Sequence, residues 1–158
     1  MNYRKADMAD IDTLTRLRID MLCEDVDYSQ AFRTHVFNHT KRFFTDGFHD
    51  DSCVAWLAEE DNEVVAVGCV NFFVLPPTDW CPDGHTAYIG NMYTIPPFRK
   101  QGIAARILEE LISEAKGRGC ERMLLNTTDM GRRIYEEHGF EHAPTFMALF
   151  PFGIIPDM

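Results

Sequence analysis

Asn91-Met92-Tyr93-Thr94-Ile95-Pro96-Pro97-Phe98-Arg99-Lys100-Gln101-Gly102-Ile103-Ala104 is the stretch of this chain best suited to chemistry. A β-like run ends at Pro96-Pro97, a basic turn containing a glycine follows, and a helical pattern starts near Ile103. The first amides of a helix lack internal acceptors and carry the positive end of its macrodipole. A pyrophosphate can sit against such amides. Gly102 removes the side chain that would block the approach, Ala104 stays small, and Arg99 and Lys100 add positive charge. The loop therefore suits capture of a phosphorylated cofactor. The same string also suits an ordinary strand-to-helix turn with an exposed arginine.

Other reactive side chains point to less. His35 and His39 are spaced for metal ligation on one helix face, but no third ligand lies at useful spacing, so no metal is expected. Cys23, Cys53, Cys69, Cys81 and Cys120 are odd in number, scattered and free of CxxC, which fits reduced thiols and not a disulfide framework. The net charge of −10, from 15 basic and 25 acidic residues, argues against a nucleic acid partner and favours cationic small molecules or peptides. No apolar run reaches membrane-span length, so no membrane partner is expected. The polar start Met1-Asn2-Tyr3-Arg4-Lys5 leads to an expected cytoplasmic location.

The elements that must position the loop follow from periodicity. A length of 158 residues suits one domain. Residues 2–6 read as a strand. Ile11, Leu14, Leu17, Met21 and Leu22 recur at helical spacing, predicting a helix over 10–23. Ser29 caps a second, aromatic-rich helix expected to end at Gly47. Residues 53–59 and 64–75 form a hairpin around Asp61-Asn62, and 85–94 is a further strand. Ile103, Ala104, Ile107, Leu108, Leu111, Ile112 and Ala115 mark an amphipathic helix. Residues 122–126 read as a short buried strand. A short helix starting at Thr127-Thr128-Asp129 runs through Tyr135 to Gly139. Two last short strands are expected over 140–143 and 146–150. The order β-α-α-β-β-β-α-β-α-β-β implies a mixed sheet with helices on its faces and one parallel strand–helix–strand unit.

Arg99-Lys100-Gln101-Gly102-Ile103-Ala104 resembles the R/Q-x-x-G-x-G/A motif by which GNAT acetyltransferases bind the acetyl-CoA pyrophosphate. Ile134-Tyr135-Glu136-Glu137-His138-Gly139-Phe140 is similar to that family's L-Y-E-K-x-G-F segment, and Tyr3 to Asp7 with Asp10, Leu14 and Leu17 resembles its first strand and helix. The resemblance implies the α/β (α+β) GNAT fold, a mostly antiparallel mixed sheet with a splayed central parallel strand pair. It implies direct transfer of acetyl from acetyl-CoA to a primary amine in a ternary complex. It places Met92, Tyr93, Thr94 and Asn126 beside the pantetheine, and makes Tyr135 the general acid toward the departing sulfur. Many family members carry Glu near the position of Asn91. Asparagine cannot act as a base, so Asn91 is expected to orient a water or the substrate, with His85, Glu24 and Asp83 as candidate bases. Thr128 and Gly131 stand where many members have Asn and Ala. Thr128 can cap its helix and bond the cofactor, and Gly131 leaves room for the pantetheine.

Acceptor identity is open at this level. Glu24, Asp25 and Asp27 in one loop, with Asp79 and Asp83 in another, suggest an acidic acceptor mouth for a cationic small molecule or peptide amine, and Trp80 adds a cation–π wall. The alternative is an acyl-CoA-binding sensor or interaction module without turnover. A homodimer is expected through the apolar segment 146–155.

Overall fold

The structure, a computed structural model, describes residues 1–144 and 146–151. Five strands lie side by side in chain order: β1 (Asn2–Lys5), β2 (Cys53–Glu60), β3 (Glu63–Val74), β4 (His85–Thr94) and β5 (Arg122–Leu125). All neighbours are antiparallel except β4 and β5, which are parallel. Helices α1 (Ile11–Leu22) and α2 (Gln30–His49) cover one face, and α3 (Ile103–Gly117) covers the other. The six-residue α4 (Arg132–Glu137) follows β5. This is the mixed, mostly antiparallel architecture with helices on both faces that the element order implied. Among the described residues no helix is long and apolar enough to cross a membrane.

Two apolar layers follow from strand alternation. Ile11, Leu14 and Leu17 of α1 and Phe44 of α2 pack against Leu57, Val67 and Tyr93. Ile103, Ile107, Leu108 and Leu111 of α3 pack against Ala66, Val70, Ala87 and Ile89 on the opposite face. In the β2–β3 hairpin, Asp61 and Asn62 both take positive φ (50° and 64°), which suits its right-handed twist.

The entry to α1 is fixed by charge. Asp10 accepts from both terminal nitrogens of Arg4 (2.7 and 2.8 Å) and from the Asp7 amide (2.8 Å), while Asp7 accepts from the Ala9 amide. Arg4 ties this box to Glu59 on β2 (2.8 Å). The Arg4 guanidinium holds the Asp10 carboxyl below the usual 3.8. A depressed folded-state pKa gives stability that is full above the unfolded value and lost as pH falls through the folded one. Arg4 keeps some water access, so the lower end of roughly 1.5–3 kcal/mol applies to this charge-assisted contact. Asp10→Asn is expected to lose about that much in urea unfolding at pH 7, and the gap to wild type should shrink as pH falls below 3.8.

Several expected boundaries move. Gly47 does not end α2. It is buried inside it, where a Cβ would stand 2.6 Å from the Cys53 Cβ. The glycine lets the helix backbone press on the start of β2. Gly47→Ala gains up to about 1 kcal/mol of helix propensity but costs roughly 1–3 kcal/mol of overpacking. A net loss is expected, read as a lower urea midpoint with unchanged m. Helix α4 starts at Arg132, later than expected, because Thr127 to Gly131 form a turn in which the Thr128 carbonyl accepts from the Gly131 and Arg132 amides. The expected strands at 140–143 and 146–150 do not form; the described residues there are irregular, with Phe146, Met147, Leu149 and Phe150 exposed. The remainder of the expected dimer segment, 152–155, lies outside the described residues.

Candidate active site

A bulge re-aims the middle of β4. Val67 pairs with Tyr93, but Cys69 pairs with Gly90, so Gly68 faces both Asn91 and Met92. Asn91 takes φ 52°, a left-handed conformation that asparagine tolerates better than most residues. Its Oδ1 and Nδ2 are both buried and neither has a hydrogen-bond partner among the described residues. A buried, unsatisfied amide in a native fold asks for a ligand or water partner.

Beside the bulge the parallel pair parts. β4 and β5 match from Thr86–Arg122 to Ile89–Leu125 and no further. β5 ends at Leu125 and Asn126 is exposed, while β4 continues to Thr94 held by β3 alone. The β5-facing edge at Gly90 to Thr94, which includes Met92 and Tyr93, is thus without a strand partner. Tyr135 packs in the same apolar cluster as Ile89, Leu125, Met92 and Ile103. Its ring is 9% exposed and meets Phe140 edge-on at 6.0 Å. Gly139 (φ 89°) ends α4 and lets the Phe140 amide donate to the Tyr135 carbonyl (3.0 Å), which fixes that contact. Among the described residues the Tyr135 hydroxyl has no hydrogen-bond partner. Burial, then the neighbouring Tyr88, raises its pKa above the ordinary tyrosine value. A Cβ on Gly131 would lie 3.3 Å from the Tyr135 ring, so this glycine first makes room for the tyrosine. The Thr128 hydroxyl accepts from the Gly131 amide at 3.3 Å and braces the same turn.

The loop before α3 has the geometry of an anion cradle. Lys100 and Gly102 both take positive φ (60° and 80°), and no side chain caps the helix. The amides of Ile103 and Ala104 in its first turn therefore lack internal acceptors. Nothing lies within 4 Å of where a Gly102 Cβ would stand. Gln101 turns back to donate to the Pro97 carbonyl (3.2 Å). The Ile103 side chain is core, so only its backbone serves the loop.

Arg99 does something the sequence did not announce. Its Nη1 and Nη2 donate to the two carboxylate oxygens of Glu24, each at 2.6 Å, and its Nε donates to the Thr94 carbonyl (2.8 Å). The guanidinium also stands 5.6 Å from the Tyr93 ring centroid. Arg99 lowers the Glu24 pKa, and Glu24 raises that of Arg99. The pair ties the α1–α2 loop to the β4–α3 loop. Backbone amides and Lys100 are left to meet a phosphate, and Glu24 is not free to act as a base.

Asp27 and Asp83, two of the acids read as an acceptor mouth, have partners of their own. Asp27 is exposed and bound to Arg33 (2.6 Å). Asp83 accepts from the His85 amide (2.9 Å) at the start of β4, and Trp80 is 85% exposed in the preceding loop. Asn91 lies well along β4; at about 3.3 Å per residue the separation from His85 is on the order of 20 Å. What borders Asn91 instead is a cavity of about 500 Å3 between α1, α2, β3 and β4. Arg18, Asn71, Tyr88 and Asn91 line it, with His35 and His39 also on its wall, their exposed rings 4.4 Å apart. Arg18 went unread because one arginine in an amphipathic helix looks like a solvated one; its spacing from Leu14 was the available signal.

The Acetyltransferase (GNAT) family model matches residues 18–140. The chain belongs to the GNAT family. A predicted acetyltransferase from Clostridium acetobutylicum, crystallised with acetyl-CoA, is 34% identical with TM-score 0.87, covering 94% of this chain and 95% of that one. A GCN5-related N-acetyltransferase from Ralstonia eutropha JMP134 shares the fold at 23% identity and TM-score 0.85, covering 96% and 99%. Among curated relatives, the uncharacterized N-acetyltransferase YsnE of Bacillus subtilis is 29% identical over 96 residues, 58% of each chain. An uncharacterized N-acetyltransferase of Archaeoglobus fulgidus is 26% identical over 141 residues, 85% of this chain and 89% of its own.

Proposed function

We propose that this chain transfers the acetyl group of acetyl-CoA directly to the nitrogen of a primary amine while both substrates are bound. The observation that carries the proposal is the Tyr135 hydroxyl. It is protonated, without a partner among the described residues, and belongs to a ring packed with the ends of the parted β4 and β5. Lys100 and the amides at the start of α3 hold the pyrophosphate, with Gly102 leaving the approach open. The unpaired edge of β4 from Met92 to Thr94 offers backbone donors to the thioester oxygen, where negative charge develops.

The amine enters from the cavity beside Asn91, whose free amide positions it or a water. Its nitrogen attacks the carbonyl carbon, a C–N bond forms and the C–S bond breaks. Tyr135 gives its proton to the departing sulfur and regains one from solvent after CoA leaves, while the proton lost by nitrogen leaves through the cavity to His35 or His39 and returns to solvent. No acyl-enzyme is needed.

Initial rates with acetyl-CoA and a primary amine both varied test this order. Intersecting double-reciprocal lines are expected. Parallel lines would show a covalent acetyl-enzyme and overturn direct transfer. Acetyl-CoA binding without release of CoA for any amine would leave a binding module.

A further inference from the structure

The cavity beside Asn91 carries a charge pattern that runs against the composition of the chain. The protein has 25 acidic and 15 basic residues, yet among the described residues those lining this cavity include Arg18, His35 and His39 and no Asp or Glu. Arg18 is the telling member. It is half-buried on α1 and drawn far enough from water for desolvation to lower its pKa. Among the described residues it has no carboxylate partner; Arg42 and Arg122 also have none, but Arg42 is exposed and Arg122 donates to the Thr86 hydroxyl. A guanidinium taken out of water without a counter-charge is costly, and a bound anion removes that cost.

We infer that the acceptor is a small amine that also carries a carboxylate or phosphate, and that Arg18 holds this anionic end while the amine points toward Asn91 and the thioester. The inference rests on the acetyl-transfer reading and names its substrate class. A volume of about 500 Å3 fits a small molecule. The planar fork of Arg18 matches either anion with two parallel hydrogen bonds. Tyr88 connects the two ends of the site. It lines the cavity and is near enough to influence both Arg18 and Tyr135. The anchor and the Asn91 amide thus line one space. A cationic acceptor would meet Arg18 with like charge and no compensating acid.

The test compares matched amines: ω-amino acids and aminoalkyl phosphates of graded length, the corresponding amides and amino alcohols, and diamines. Wild type should acetylate the best anionic amine with kcat/KM about 10–100-fold above its neutral counterpart, the range of one charge-assisted contact. Arg18→Met should bring that ratio to near one, and Arg18→Lys should retain part of it. Thermal unfolding and acetyl-CoA titration report that the variants are folded. Binding of the same amines to the protein–CoA complex is measured by calorimetry in parallel. Anionic amines that bind through Arg18 without being acetylated would uphold the anion site and overturn the transfer reading. Turnover with neutral amines or diamines preferred, or a preference that survives Arg18→Met, would overturn the anion site and leave the transfer reading standing. Comparison of the carboxylate and phosphate series assigns the anion.

Discussion

Gly102→Glu is expected to weaken acetyl-CoA binding by more than about 100-fold in calorimetry. Gly102 precedes α3 with φ 80°, no side chain among the described residues caps the helix, and apart from its chain neighbours a Cβ there would meet no described atom within 4 Å. The space that glycine leaves is therefore the approach to the amides. Glutamate would occupy it, offer its own carboxylate to those amides and repel the pyrophosphate. Loss of even one charge-assisted contact, roughly 1.5–3 kcal/mol, with added repulsion gives that scale. The positive φ costs about 1–2 kcal/mol for any other residue. Gly102→Ala carries this strain without the charge. It should unfold slightly earlier and keep most of its acetyl-CoA affinity. Equal loss in both variants would trace the effect to the backbone and not to the anion site.

Tyr135→Phe is expected to reduce kcat by about 10²–10⁴-fold with little change in acetyl-CoA affinity. Phenylalanine keeps the ring on Phe140 and the fit against Gly131, so the fold is preserved. Only the proton for the departing sulfur is lost. The active form of this acid is protonated, so its contribution is full below its pKa and declines above it. Burial raises that pKa above the ordinary 10.0, which puts the decline beyond pH 10. Wild type should hold its kcat through pH 9, and a thiol leaving group better than CoA should rescue the variant in part. A kcat within a few-fold of wild type would remove Tyr135 from the chemistry and leave it a packing residue.

Much of this scaffold was legible because it is written in local signals. The α3 stripe, the Asp61-Asn62 turn, the Ser29 cap and the strand His85–Thr94 all express short-range periodicity or turn chemistry. The turn before α3 was legible for the same reason, since glycine, basic residues and helix start are contiguous. Gly47 misled because a glycine can end a helix or let a neighbour press close, and only the position of Cys53 decides which. The chemistry beyond the loop depends on distant pairings. Glu24 faces Arg99, and Arg18 faces Asn91 and Tyr88, across elements far apart in sequence. Charge counted along the chain suggested an acidic mouth. Charge placed in space puts Glu24 and Asp27 in ion pairs and Asp83 at the far end of β4, and puts basic side chains on the cavity wall.

The most direct test of the central claim is the fate of label carried in the acetyl group of acetyl-CoA, followed through a single turnover with an excess of mixed primary amines. Label should appear on amine nitrogen, matched by free CoA thiol, with none on the protein at any time. Label that stays in acetyl-CoA, or that passes through the protein on its way to the amine, would contradict it.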